Sequence, residues 1–130
     1  MPEATIRREA DLDWESWDDA ELTTRSDVRW RLLISGERTA TAELVMGIAE
    51  IAPGGKLIGH RHAHAETYYI TSGTARIAID GTENDIAPGA AIFIPANAHH
   101  ETVCTSEIPL EFIFTFPCDR FEEVVYRYDD

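Results

Sequence analysis

From Val28 onward the chain reads as short runs of strand-forming residues separated by turn signals. Val28–Ile34 (VRWRLLI) opens with apolar and polar positions in alternation, and Ala75–Ile79 (ARIAI) alternates throughout. Residues 44–51 (LVMGIAEI) are mostly apolar, and residues 66–71 (ETYYIT) are rich in residues that favour strands. Residues 91–95 (AIFIP), 102–104, Leu110–Phe116 (LEFIFTF) and 123–128 complete the series. Pro53-Gly54-Gly55, Ser72-Gly73, Asp80-Gly81 and Pro88-Gly89 punctuate it. Many short strands at regular spacing, with no long helical period and no internal repeat, predict an all-β sandwich or barrel.

Residues 1–27 have a different texture. Between Met1 and Glu21 stand eight acids and two arginines, and Trp14 and Trp17 lie among them. A disordered tail has little use for two tryptophans. The stretch, the only helix-like one in the chain, therefore predicts an acidic arm that docks its indoles on the body or on a second subunit. The expected organisation is an arm over 1–27 and one barrel domain over 28–130.

Composition narrows the function classes. A chain of 130 residues fits one domain, and 44% hydrophobic residues suffice for a core. The formal charge of −13 repels phosphate, so nucleic acid and anionic membranes are disfavoured as partners. The longest uncharged run, 86–98, is too short to span a bilayer and carries Pro88 and Pro95. The N-terminus lacks the apolar segment of a signal peptide, so the expected location is cytoplasmic. Cys104 and Cys118 lack C-x-x-C spacing and read as reduced, partly buried thiols.

All five histidines fall in two groups: His60, His62 and His64 before Glu66, and His99-His100. On a strand, His60 and His62 share a face. Glu66 opens the next strand after a short turn, and a histidine from a later strand can complete the set. Imidazoles with one carboxylate form a shell for a divalent transition metal.

These residues resemble the cupin family. Its first motif runs Gly, five residues, His-x-His, three or four residues, Glu, six residues, Gly. The chain has Gly54, His60-Arg61-His62, Glu66 and Gly73 at those intervals. In the second motif Gly89 and Pro95 match and His100 takes the ligand position, while Asn97 replaces a Gly and Cys104 the final Asn. Asn tolerates positive φ, so the turn at 97 is expected to survive. The resemblance implies a single-domain cupin fold (a double-stranded β-helix, or jelly-roll barrel), with His60, His62, Glu66 and His100 as metal ligands. His64 and His99 are then left over, as rim residues.

A narrower likeness, over about residues 28–126, is to the small cupin lyases that cleave dimethylsulfoniopropionate to dimethyl sulfide and acrylate. It rests on GIAEIAPGG at 47–55, on Thr67-Tyr68 after Glu66, on Val28-Arg29-Trp30, and on the segment 114–126. It implies Tyr68 as catalytic base and Tyr126 as a second active-site tyrosine. Tyr68 stands two residues beyond Glu66 and shares its face. The expected function is thus a metal-dependent β-elimination on dimethylsulfoniopropionate or a similar small carboxylate. Fe(II), Mn(II), Ni(II) and Zn(II) all suit the shell, and a homodimer is expected. The alternatives are a cupin-type dioxygenase and a non-enzymatic metal-dependent binding module. For the remaining side chains, Trp30 is expected to fill the core or else to line the pocket, and Arg29 and Arg31 to lie on a solvated or interface face.

Overall fold

The computed structural model describes residues 1–17 and 26–129. Positions 18–25 of the expected arm and Asp130 lie outside the described residues. The strands are β1 (Val28–Ile34), β2 (Val45–Ile51), β3 (Lys56–Arg61), β4 (Glu66–Ser72) and β5 (Ala75–Ile79), followed by β6 (Thr82–Ile86), β7 (Ala91–Ile94), β8 (His100–Cys104), β9 (Leu110–Phe116) and β10 (Arg127–Tyr128). They form two five-stranded antiparallel sheets, in the orders β1-β2-β9-β4-β7 and β10-β3-β8-β5-β6. From β3 onward the chain passes repeatedly between the sheets, as the strand orders require. No α-helix occurs among the described residues, and none of their helical segments is long and apolar enough to cross a membrane.

Period-two burial defines the interior. On β9, Leu110, Phe112, Phe114 and Phe116 are buried while their neighbours are half-exposed. On β4, Glu66, Tyr68 and Ile70 point inward and Thr67, Tyr69 and Thr71 outward. Cys104 and Cys118 are both buried and unpaired.

Two strands escape the alternation rule. β3 (KLIGHR) is buried over four consecutive residues, and β6 (TENDI) is a polar strand exposed except at its last position. The hairpin that sets β6 uses Asp80-Gly81 as its two-residue loop, with φ of 48° and 85°. Those angles match a primed turn, whose twist suits the flanking strands. The expected strand over 123–128 is corrected: a 3₁₀ turn occupies Phe121–Glu123, and only Arg127–Tyr128 pairs. The helix-like character of the arm reduces, among the described residues, to the 3₁₀ turn Glu9–Asp11.

The arm docks on β1. Glu15 and Trp30 exchange backbone hydrogen bonds of 2.8 and 2.9 Å, extending the edge of the sheet. Arg38 grips the Glu15 carboxylate with two bonds of 2.6 and 2.7 Å. Trp14 receives the guanidinium groups of Arg29 and Arg31 at 4.2 and 4.3 Å from its ring. Both arginines therefore serve as cation–π partners of the arm. An otherwise open sheet edge is covered in this way.

Candidate metal centre

The histidines converge because strand register places them together. His60 on β3 stands directly opposite His100 on β8. His62 follows one residue after β3 ends and keeps the inward direction of His60. Glu66 enters from β4, on the other sheet. All four side chains are buried, His60 and His100 completely. The ligand nitrogens of His60, His62 and His100 lie within 4.8 Å of one another. Glu66 Oε1 is 3.1 Å from His62 Nε2 and 3.5 Å from His100 Nε2.

Backbone carbonyls fix which nitrogen of each ring is available. His60 Nδ1 donates to the Ile58 carbonyl at 2.7 Å, His100 Nδ1 to that of Ala98 at 3.0 Å, and His62 Nδ1 to that of His64 at 2.8 Å. With the proton on Nδ1, the lone pair sits on Nε2. The Nε2 atoms of His60 and His100 are sealed from water and have no hydrogen-bond partner. Buried polar atoms are rarely left so. Metal–nitrogen bonds of about 2.1 Å let two ligands lie up to about 4.2 Å apart, so a small contraction closes the shell. The donor set suits a divalent transition metal.

The electrostatics agree. Burial, reinforced by the neighbouring imidazoles, pulls the His60 pKa down to about 3, although the Ile58 carbonyl opposes this. His60 is thus neutral at any ordinary pH, as a ligand must be. For His62, burial pulls down, but the hydrogen bond and charge of Glu66 and the His64 carbonyl outweigh it, and the pKa is raised. A proton on His62 Nε2 then bridges to Glu66, where a cation would otherwise balance the carboxylate.

The second motif is tied to the first through its turn. Asn97 adopts φ 64°, and its N–H donates to the His62 carbonyl at 2.8 Å. Gly73, which closes the first motif, has φ 76°, and a Cβ there would meet the Pro109 carbonyl oxygen at 2.5 Å. His99 points away and pairs with Asp129 at 2.9 Å. His64 contributes its carbonyl to His62 but not its ring to the cluster.

Beside the cluster lies a narrow cavity of about 30 Å³. Glu66, Tyr68 and Tyr126 line it on the side of the histidine cluster, and Trp17, Trp30 and Phe121 are among the aromatic walls. Tyr68 is 1% exposed, with its ring 4.3 Å from that of Phe112. Tyr126 stacks on His60 at 4.8 Å. Burial first, then the Glu66 charge, pushes both phenols well above their ordinary pKa. Trp30 takes the second of its two expected places: it is half-buried and lines this cavity, edge-on to Trp17 at 5.2 Å. Sequence reasoning did not single out Trp17, Phe121 or Tyr128 as neighbours of the site. The signal for Tyr128 was its even spacing from Tyr126, since it pairs with His60 across β10 and β3.

The cupin domain profile (Cupin_2) matches residues 47–116. The chain is 41% identical over 105 residues to the dimethylsulfoniopropionate lyase DddW of Ruegeria pomeroyi, covering 81% of this chain and 68% of that one. Among solved structures, the polyketide cyclase RemF from Streptomyces resistomycificus superposes with a TM-score of 0.79 at 22% identity, covering 98% of this chain and 87% of RemF. A chain from the structures of the dimethylsulfoniopropionate lyases RdDddP and RnDddQII gives 0.74 at 22% identity, covering 92% of this chain and 63% of that one. At such identities the structural likenesses establish the fold alone.

Proposed function

The chain belongs to the cupin family, and from that premise we propose that it is a metal-dependent carbon–sulfur lyase that cleaves dimethylsulfoniopropionate to dimethyl sulfide and acrylate. The observation that carries this reading is the aromatic cavity set against the histidine cluster, with Glu66, Tyr68 and Tyr126 in the shared wall. A compact substrate with a carboxylate at one end and a sulfonium at the other matches both halves. Aromatic faces attract a dispersed cation, and a divalent metal attracts the carboxylate. The 41% identity to a lyase of this substrate supports the same assignment.

His60, His62, Glu66 and His100 would hold the metal. Bound there, a divalent ion supplies Lewis-acid polarisation of the substrate carboxylate. Tyr68 takes the proton from the carbon α to the carboxylate. The C–H electron pair becomes the new double bond, the C–S pair leaves with sulfur, and acrylate and neutral dimethyl sulfide result. The proton passes from Tyr68 to solvent. Burial and Glu66 hold the free phenol protonated, and cationic charge brought into the cavity favours the phenolate. Tyr126, stacked on His60 in the wall it shares with Tyr68, orients the substrate.

A homodimer and a cytoplasmic setting complete the proposal. Leu44 and Phe93, both exposed, flank one mostly apolar groove that a second subunit would cover. The test is dimethyl sulfide release into the headspace by protein loaded with Fe(II), Mn(II), Ni(II) or Zn(II). The expected result is metal-dependent release that chelation abolishes. No release with any of these metals would reject the substrate.

A further inference from the structure

A second constellation of metal-binding side chains lies outside the histidine cluster. His64 sits in the turn between β3 and β4, Cys118 follows β9, and Glu123 ends the 3₁₀ turn Phe121–Glu123. Their ligand atoms all fall within 4.8 Å of one another. We propose that His64, Cys118 and Glu123 form a second, thiolate-containing site for a divalent metal of the Zn(II) class.

Three features favour the site. The Nδ1 atom of His64 is sealed from water with no hydrogen-bond partner, and such atoms call for an explanation. The donors are one imidazole, one sulfur and one carboxylate, a mixture that suits Zn(II) or Co(II) and leaves the fourth tetrahedral position to water. The segment carrying Cys118 and Glu123 is already held in place. Asp119 accepts from the Gly36 N–H on its carbonyl, and from the Glu43 N–H on its carboxylate, both at 2.7 Å, and the Phe121 N–H donates to Ser35 Oγ at 2.8 Å.

On binding, the Cys118 S–H bond breaks, its proton leaves to solvent, and a sulfur–metal bond forms without any change of oxidation state. The thiol gives up its 3.4 Å contact to the Arg120 carbonyl in the exchange. A metal here would clamp the turn between His62 and Glu66 to the segment that leads into Tyr126. The His64 carbonyl that orients His62 belongs to that turn, so the second site would steady the first.

Anaerobic Co(II) titration of the reduced, metal-free full chain tests the proposal. The buried histidine cluster contains no sulfur, so a near-ultraviolet thiolate-to-cobalt charge-transfer band reports the second site alone. The expected result is two equivalents bound, with the band present in the parent chain, in Cys104→Ser and in His60→Ala. The band should vanish in Cys118→Ser, and its half-saturation should shift upward at least about tenfold in His64→Ala and Glu123→Gln. His64→Ala alters only a half-exposed turn side chain, so it keeps the test decisive should Cys118→Ser fold poorly. A single equivalent without the band, or a band that survives Cys118→Ser, would overturn the assignment.

Discussion

Replacing Tyr68 by Phe removes one oxygen and leaves the ring that packs 4.3 Å from Phe112. The side chain is 1% exposed, so the substitution opens no path for water and keeps the core volume. The stability change should stay within about 1 kcal/mol, the scale of one hydrogen bond, a shift in Tm of no more than about 8 °C. The metal shell is untouched, because Tyr68 supplies no ligand atom to the histidine cluster. If its oxygen takes the α proton, turnover should fall roughly 10²–10⁴-fold, an increase in barrier of about 2.7–5.5 kcal/mol. The rate effect therefore exceeds any plausible stability effect, and the two are measured separately. The assay is initial-rate dimethyl sulfide release at saturating substrate, with metal per chain and Tm recorded on the same preparation. Unchanged kcat in a fully metallated variant would refute the role of Tyr68. A parallel loss of metal would show that the oxygen supports the shell instead.

His62→Ala and Glu66→Ala should each lose about one equivalent of metal together with activity, whereas His99→Ala should retain both, since its ring pairs with Asp129 instead. Metal analysis after gel filtration checks this. Trp30→Leu removes an aromatic face from the cavity wall and should raise KM for a sulfonium substrate roughly 2–30-fold, the range of one cation–π contact; a steady-state KM equal to that of the parent would remove Trp30 from recognition. In the metal-free protein, His60 is held neutral with a pKa of about 3, below its unfolded value. Its contribution is complete above pH ~6.5 and is lost as the pH falls toward that lower value, about 3 kcal/mol by pH ~4.5. His62, whose pKa is raised, works in the opposite direction over the acid range and offsets part of the loss. Urea midpoints across that range should fall more steeply in the parent chain than in His60→Leu, and equal slopes would contradict the assignment.

Much of this architecture was legible because buried faces impose period two. β1, β5 and β9 announce themselves by alternation, and Asp80-Gly81 announces a turn because both residues tolerate the positive φ found there. β6 was illegible for the converse reason: TENDI lies at a sheet edge with every side chain but the last in water, so nothing selects an apolar period. β3 was expected at His60, but its extent back to Lys56 hides because four successive residues are buried, and a continuous run carries no period. The spacing of the histidines and Glu66 foreshadowed their meeting, since strand parity and one turn suffice to bring them together. The cavity walls depended on longer-range placement. Trp17 reaches the site only because Glu15 pairs with Trp30 on the edge of β1. Phe121 and Tyr128 arrive on a segment whose path is set by Ser35, Gly36 and β3 rather than by any local pattern.

The proposed reaction is an elimination that uses no oxygen. Metal-loaded protein incubated with dimethylsulfoniopropionate under strict anaerobiosis, with both products quantified, tests it most directly. The expected result is acrylate and dimethyl sulfide in equal amounts, at a rate unchanged when air is admitted to protein loaded with a metal that air does not oxidise, such as Zn(II) or Ni(II). Product formed only when O₂ is present and consumed, or no turnover of this substrate in either atmosphere, would contradict it.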